Sequence, residues 1–165
     1  MPTPEFVLRL REKIGHDQLW LPGVSVVVVD DAGRVLLGRR SDTGRWSIID
    51  GIPEPGEQPA AAAARECEEE AGVRPEILAV IGVETEEPIV YPNGDRCVFL
   101  DIGFVARVGA ERAAAAGVGD GELTAVAWFE PDALPAPLTR HASARIAAAR
   151  AWLADPTTPA RFRFR

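Results

Sequence analysis

Gly51-Ile52-Pro53-Glu54-Pro55-Gly56-Glu57, then Gln58 to Ala64, then Arg65-Glu66-Cys67-Glu68-Glu69-Glu70-Ala71-Gly72-Val73, is the stretch on which the reading of this chain turns. Pro59 is suited to a first helical turn and Gly72 to a helix end, so a helix is expected over Ala60 to Ala71. A helix advances about 100° per residue, which puts Glu66, Glu69 and Glu70 within about 100° of arc. Glu68 points roughly the opposite way. Ala60, Ala64, Cys67 and Ala71 form a separate stripe of small side chains that can lie close against a sheet. Before the helix, Gly51 marks a place where backbone can approach closely.

Carboxylates gathered on one face repel one another, and holding them there costs energy unless a cation is shared. An oxygen-rich set of this kind suits Mg²⁺ or Mn²⁺, which keep some waters and bind substrate phosphates. Arg65 can reach Glu69 one turn on, fixing a rotamer and favouring the ionised form. Taken alone, Glu66 to Glu70 would serve equally well as a solvated acidic surface. The wider spacing separates the two readings. Gly, Glu, Arg, three Glu and a final Gly sit at seven fixed offsets, and at ordinary usage chance agreement is on the order of 10⁻⁹ to 10⁻⁸ per start point.

That pattern resembles the Nudix box and fits it without a gap. The apolar slot after Arg65-Glu66 holds Cys67, small and buriable. Weaker likenesses flank it. Arg39-Arg40-Ser41-Asp42 through Gly44-Arg45-Trp46 resembles the family's strand and loop into its site. Trp128-Phe129 with Asp132-Ala133-Leu134-Pro135 resembles its closing strand and helix. The resemblance covers about Gly23 to Leu153, leaving residues 1–22 as an N-terminal helix and lead-in and 154–165 as a tail.

The resemblance implies an α/β fold, an α/β/α sandwich around a mixed sheet. It implies hydrolysis of a nucleoside diphosphate linked to another group, with release of two phosphorylated products. Glu66, Glu69 and Glu70 match the family's metal-binding carboxylates, Glu57 a supporting Glu and Arg65 an orienting Arg. One carboxylate must act as general base for the attacking water. Glu69 is one candidate; Glu122, with Asp120 behind it, is the other. One departure stands out: Ile49-Asp50 replaces the Pro-Gly that often precedes the box glycine. The carbonyl at position 50 survives any substitution, and the Asp50 carboxylate is a candidate addition to the metal shell.

Outward from the box, Thr3 to Gly15 reads as a short helix, capped by Thr3, with Phe6, Leu10 and Ile14 on its packing face. Val24 to Val29 is a β-branched run typical of a buried strand. Asp30 to Gly33 is turn material, and Arg34 to Arg40 returns as the second arm of a hairpin. Trp46 to Ile49 is a further short strand. Ile77 to Val83, extendable to Tyr91, and Arg96 to Val108 flank a hairpin turn at Pro92-Asn93-Gly94-Asp95. Ala113 to Ala116 is a local bias suited to a helical or loop surface piece. After an acidic loop at Gly117 to Glu122, Ala125 to Phe129 is a last strand. Pro131 to Leu134 is a candidate short helix and Leu138 to Leu153 an Ala-rich amphipathic one. The tail Arg161 to Arg165 suits a frayed end or an added edge strand better than a nucleic-acid contact.

Other side chains carry two readings each. Trp46 suits either base stacking or core packing. Arg39 and Arg40 point to opposite faces of a strand, so at most one of that pair serves a phosphate in the site; Arg45 is a further candidate. Tyr91 and Asp95 flank the hairpin turn, where an ordinary exposed hairpin competes with substrate contact. His16 and His141 have no partner spacing. Cys67 and Cys97 read as core residues.

The chain has 165 residues, 47% hydrophobic and 26% charged, which suits one soluble domain. No apolar run approaches the roughly 20 residues of a membrane span, and no basic leader precedes an apolar stretch, so a cytoplasmic enzyme is expected. A net charge of −7 argues against general nucleic-acid binding. It leaves room for an anionic small substrate if divalent metal is recruited first. ADP-ribose or another nucleotide sugar is the first substrate expectation, a nucleoside triphosphate the second. A Nudix-fold module that senses a nucleotide without cleaving it is the alternative, and an isoprenoid-diphosphate isomerase a third reading, which would need a placed Cys and Glu. A homodimer through the N-terminal helix or the tail is compatible with the sequence.

Overall fold

The computed structural model describes residues 3–91, 93–119 and 121–162. Pro92, Asp120 and the tail end 163–165, all touched by the sequence reading, lie outside them. Helix α1 (Glu5–Ile14) leads into the long strand β1 (Leu19–Val29). Strands β2 (Val35–Arg40), β3 (Trp46–Ser47) and β4 (Ile49–Gly51) precede helix α2 (Pro59–Ala71). Then come β5 (Glu76–Thr85), β6 (Ile89–Val90) and β7 (Arg96–Arg107). A single-turn helix α3 (Ala110–Ala113), β8 (Leu123–Phe129), helix α4 (Arg140–Ala154) and β9 (Arg161–Phe162) complete the order.

The described strands form one mixed sheet of order β3-β2-β1-β7-β5-β9, with β4 beside β1, β6 beside β7 and β8 beside β2. β1 and β7 are parallel and in unbroken register from Leu19 opposite Cys97 to Val29 opposite Arg107. Alternation then sorts the side chains. Val24, Val26 and Val28 of β1, with Phe104 and Ala106 of β7, pack under α2. Val27, Val29 and Val105 pack under α4. The result is the expected α/β/α sandwich. Among the described residues no helix is long and apolar enough to cross a membrane.

Several local expectations change. β1 starts at Leu19, so the lead-in drawn up to residue 22 is already sheet. The β1–β2 hairpin is reduced to one pair, Val29 with Val35, because β4 takes the place beside β1 and β2 pairs instead with β8. Pro4, not Thr3, caps α1, and Val7 is its buried residue while Leu10 is exposed. Val7 is set against Leu21 and Cys97 with Phe6 packed beside it, so the packing face keeps Phe6, gains Val7 and loses Leu10. Ala63 joins Cys67 and Ala71 in the core under α2 in place of Ala64. Pro131 to Leu134 is a turn rather than a helix. β9 adds to the free edge of β5 in parallel, the edge-strand outcome for the tail.

Candidate active site

Strand β4 is three residues long and serves both faces of the sheet. Gly51 pairs with Val24 and so faces α2; Asp50 pairs with Ser25 and faces α4. On the α2 side, the Glu66 side chain lies directly over Gly51, and a Cβ added at Gly51 would overlap it. Glycine is required there by close approach rather than by a special φ.

Glu66 is 1% exposed. Its Oε1 is ion-paired with the Arg65 guanidinium at 3.0 Å, while Oε2 meets no hydrogen-bond donor. Burial raises its pKa from 4.5 to about 7, with the nearby Glu69 charge adding to the rise and Arg65 opposing it. A buried carboxylate left in this condition calls for a cation.

Arg65 is the cation these carboxylates share. Its Nε and Nη2 donate to the two Glu57 oxygens, each at 3.0 Å, and its Nη1 donates to Glu69 at 2.9 Å. The fork geometry of a guanidinium makes this three-way grip possible. The hydrogen bond from Arg65 holds the Glu57 carboxyl below the usual carboxylate range. Glu57 also receives the Glu54 backbone N–H at 3.0 Å, which fixes the loop before α2. Glu68 points away and pairs with Arg74, as the helical arc requires.

The end of α2 is built by the loop that follows α3. Gly72 closes the helix in the left-handed region, at φ 68°. The N–H groups of Gly117 and Gly119 donate to the carbonyls of Ala71 and Glu70, at 3.0 and 2.9 Å. Gly119 sits where a Cβ would strike the Glu69 carbonyl. Three residues on, the Glu122 carbonyl accepts the Ser41 N–H at 2.8 Å, tying the loop to the end of β2. The acidic loop is thereby held between α2 and Arg40, and Glu122 is half-buried there.

Asp50 goes elsewhere. Its carboxylate faces α4, where His141 Nε2 lies 3.5 Å away, Ser47 Oγ donates at 3.4 Å and Arg40 Nη1 lies 3.6 Å away. Burial pushes the Asp50 carboxyl up, but the hydrogen bond and charge of His141 and the charge of Arg40 outweigh it and leave it lowered. Burial works against charge on His141 too; the hydrogen bond and charge of Asp50 outweigh it and raise the imidazole pKa. Ser47 Oγ also meets Thr139 Oγ1 at 2.9 Å, joining this network to the start of α4. Arg40 further donates to both Asp42 oxygens, while Arg39 turns to the Gly44 carbonyl.

The structure therefore brings Glu57, Arg65, Glu66 and Glu69 together. Glu70, 5% exposed, lies within electrostatic reach of Arg40. It puts Asp50 on the opposite face, among partners of its own. His141 and Ser47 were missed from sequence; the only signal was that an acidic residue at position 50 needs something to meet it. Trp46 packs edge-on against Phe129, ring centroids 4.9 Å apart, which is core packing. Asp95 is engaged by His16 at 2.8 Å and Arg11 at 3.3 Å, so it ties the hairpin to α1. Cys67 and Cys97 are both buried, as expected of core residues, and burial pushes the Cys67 thiol far up. Among the described residues no three His, Cys, Asp or Glu side chains already converge as a metal cage. Glu66 nonetheless fits a divalent ion, because its buried Oε2 lacks a hydrogen-bond donor and carboxylates stand beside it.

Known proteins resemble this chain in sequence and in fold. A MutT-like protein of Streptomyces ambofaciens is 37% identical over 116 residues, covering 66% of this chain and 63% of its own length. An RNA pyrophosphohydrolase of Roseobacter denitrificans is 38% identical over 91 residues, covering 54% of this chain and 51% of its own. The chain thus spans less than two thirds of the length of these relatives. The crystal structure of a MutT NUDIX hydrolase from Burkholderia pseudomallei superposes with a TM-score of 0.64 at 27% identity, over 79% of this chain and 98% of that one. The family model described as the NUDIX domain matches residues 19–150, most of the folded unit and the whole of the site, and the chain belongs to the Nudix family.

Proposed function

We propose that the chain is a divalent-metal-dependent pyrophosphohydrolase acting on a nucleoside diphosphate linked to a second group. ADP-ribose or another nucleotide sugar is the first substrate expectation and a nucleoside triphosphate the second. The observation that carries the reading is the Glu66 carboxylate, buried over Gly51 beside Glu69, with Arg65 at one oxygen and no donor at the other. The relative named as an RNA pyrophosphohydrolase supports anhydride cleavage as the reaction type.

Glu66, Glu69 and Glu70 would hold Mg²⁺ or Mn²⁺, with Glu57 beside them. When bound, the ion supplies charge for the diphosphate and lowers the pKa of water near neutrality. The chain's own residues do the rest. Arg65 keeps Glu57 ionised and holds Glu57 and Glu69 in fixed rotamers through the bonds already formed. Glu69 or Glu122 takes a proton from water as its oxygen attacks phosphorus. The anhydride P–O bond breaks, and its electron pair leaves with the departing phosphate. Such a base contributes roughly 10²–10⁴-fold in rate. Arg40, paired with Asp42 and Asp50 and within electrostatic reach of Glu70, supplies a positive charge beside the carboxylate cluster.

The test is a panel of nucleoside diphosphate derivatives and triphosphates with Mg²⁺ or Mn²⁺, read by phosphate-bearing products. Turnover should depend on metal and vanish in Glu66→Gln. Metal and nucleotide binding without turnover on any compound would replace this reading with the non-catalytic nucleotide-sensing module.

A further inference from the structure

The α2-side face of the sheet continues past the carboxylates. The same alternation that puts Val24 under α2 puts Pro22 and Trp20 on that face, opposite Leu100 and Val98 of β7. The cover over this strip thins outward from Val24, which is 1% exposed. Val98 and Leu100 are half-buried, Pro22 is exposed, and the Trp20 side chain is 68% exposed. Trp20 is the second residue of β1, paired with Val98 of β7 on one side, and an indole left this open on a strand is unusual, because tryptophan is costly to leave in water. The strip is also free of charge over these four residues, in a chain of net charge −7.

Its position supplies the occupant. Val24 is paired with Gly51, over which Glu66 lies. Trp20 is four residues along the same strand and on the same face, about 13 Å away at the rise of a β-strand. That is close to the reach of an extended nucleotide from its phosphates to its base. A charged end would meet the carboxylate and arginine cluster with its ion, and a flat uncharged end would meet a flat uncharged strip.

We infer that Trp20, with Val98 and Leu100 on the same face of the neighbouring strand, is the stacking platform for the base of the nucleotide whose diphosphate occupies the Glu66 site. The inference rests on the proposed function for where the diphosphate lies. Stacking is tolerant of base identity, because every base has a π-face. The platform therefore selects nucleosides over sugar phosphates without choosing strongly among bases.

The experiment compares two unreactive probes by calorimetry on the full chain with Mg²⁺: α,β-methylene-ADP and methylenediphosphonate, which lacks the nucleoside. Trp20→Ala should weaken α,β-methylene-ADP by roughly ten-fold or more, the usual size of a lost stacking contact. Methylenediphosphonate should be unchanged, and Trp20→Phe should retain most of the affinity. Unchanged α,β-methylene-ADP binding in Trp20→Ala, with both probes still bound, overturns the platform and leaves the diphosphate site standing. A wild-type chain that binds neither probe overturns both. A wild-type dimer that Trp20→Ala converts to a monomer, with nucleotide affinity intact, overturns it in favour of a second copy as the occupant.

Discussion

Glu66 occupies the space into which a side chain on Gly51 would project. The pairing of β4 with β1 fixes Gly51, and the helical register of α2 fixes Glu66, so neither can yield alone. Gly51→Ala should therefore displace the Glu66 carboxylate while leaving every charged group in the chain. Overpacking of this kind costs about 1–3 kcal/mol. Urea denaturation should register that loss, and Mn²⁺ affinity by calorimetry should fall at least ten-fold. Unaltered Mn²⁺ affinity in a folded Gly51→Ala chain would separate Glu66 from the ion.

The raised pKa of Glu66 makes a stability prediction for the metal-free protein. The folded chain holds this proton up to about pH 7, whereas an ordinary glutamate releases it near 4.5. Between those values the folded state binds more protons than the unfolded one, so stability falls as pH rises through the window. A shift of this size corresponds to roughly 3 kcal/mol across the whole window. Glu66→Gln should remove that slope and be more stable than wild type at pH 8 without metal. Adding Mg²⁺ at pH 8 should stabilise wild type and not the variant. Thermal melts from pH 5 to 8 measure both.

Much of this site was legible from spacing alone, because a helix converts offsets in sequence into positions on a cylinder. The separation of Glu68 from Glu66 and Glu69, and the Arg65–Glu69 contact, followed directly from that rule. The depth of Glu66 did not, since nothing in the helix tells how close the neighbouring strand comes. Asp50 was harder still. Which face it takes depends on the register of β4 against β1, a pairing across some 25 residues of chain that local pattern does not encode. The strand run Leu19 to Leu21 was missed because Trp20 is exposed and Pro22 interrupts the β-branched pattern. It pairs because β7 runs alongside it.

Asp50 and His141 should be energetically coupled across a limited pH range. The lowered Asp50 pKa gives stability that is present above the ordinary aspartate range and lost as pH falls through its folded value. The raised His141 pKa gives stability that is present below the ordinary histidine range and lost as pH rises through its folded value. The coupling should thus peak in mildly acidic solution and fade toward alkaline pH. Both side chains are about one-third exposed, so a double-mutant cycle of Asp50→Asn and His141→Gln should give no more than about 1 kcal/mol. A coupling that stayed constant from pH 5 to 9 would mean that charge is not its source.

Arg65 should not be replaceable by lysine. The guanidinium meets both Glu57 oxygens and Glu69 at once, which a single ammonium cannot do. Arg65→Lys keeps the charge and loses the fork. If Arg65 orients carboxylates around an ion, as proposed, the expected loss in kcat/KM is roughly 10–100-fold, with the fold retained. The dependence of rate on Mn²⁺ concentration should shift upward in the same variant. Near wild-type activity in Arg65→Lys would reduce the residue to a point charge.

The choice between Glu69 and Glu122 as base can be made by dividing binding from turnover. Glu69 stands on α2, 45% exposed and one hydrogen bond from Arg65, so its loss should disturb the ion-binding set itself. Glu122 stands on the loop that Gly117 and Gly119 bind to the end of α2, with its carbonyl held by the Ser41 N–H. If Glu122 is the base, Glu122→Gln should lower kcat by roughly 10²–10⁴-fold with Mn²⁺ affinity unchanged. Glu69→Gln should then lower Mn²⁺ affinity, with saturating metal restoring part of the rate. The opposite pattern, with Glu122→Gln close to wild type and Glu69→Gln not rescued by metal, assigns the proton to Glu69. In that case the loop acts only by holding the carbonyl end of α2 in place.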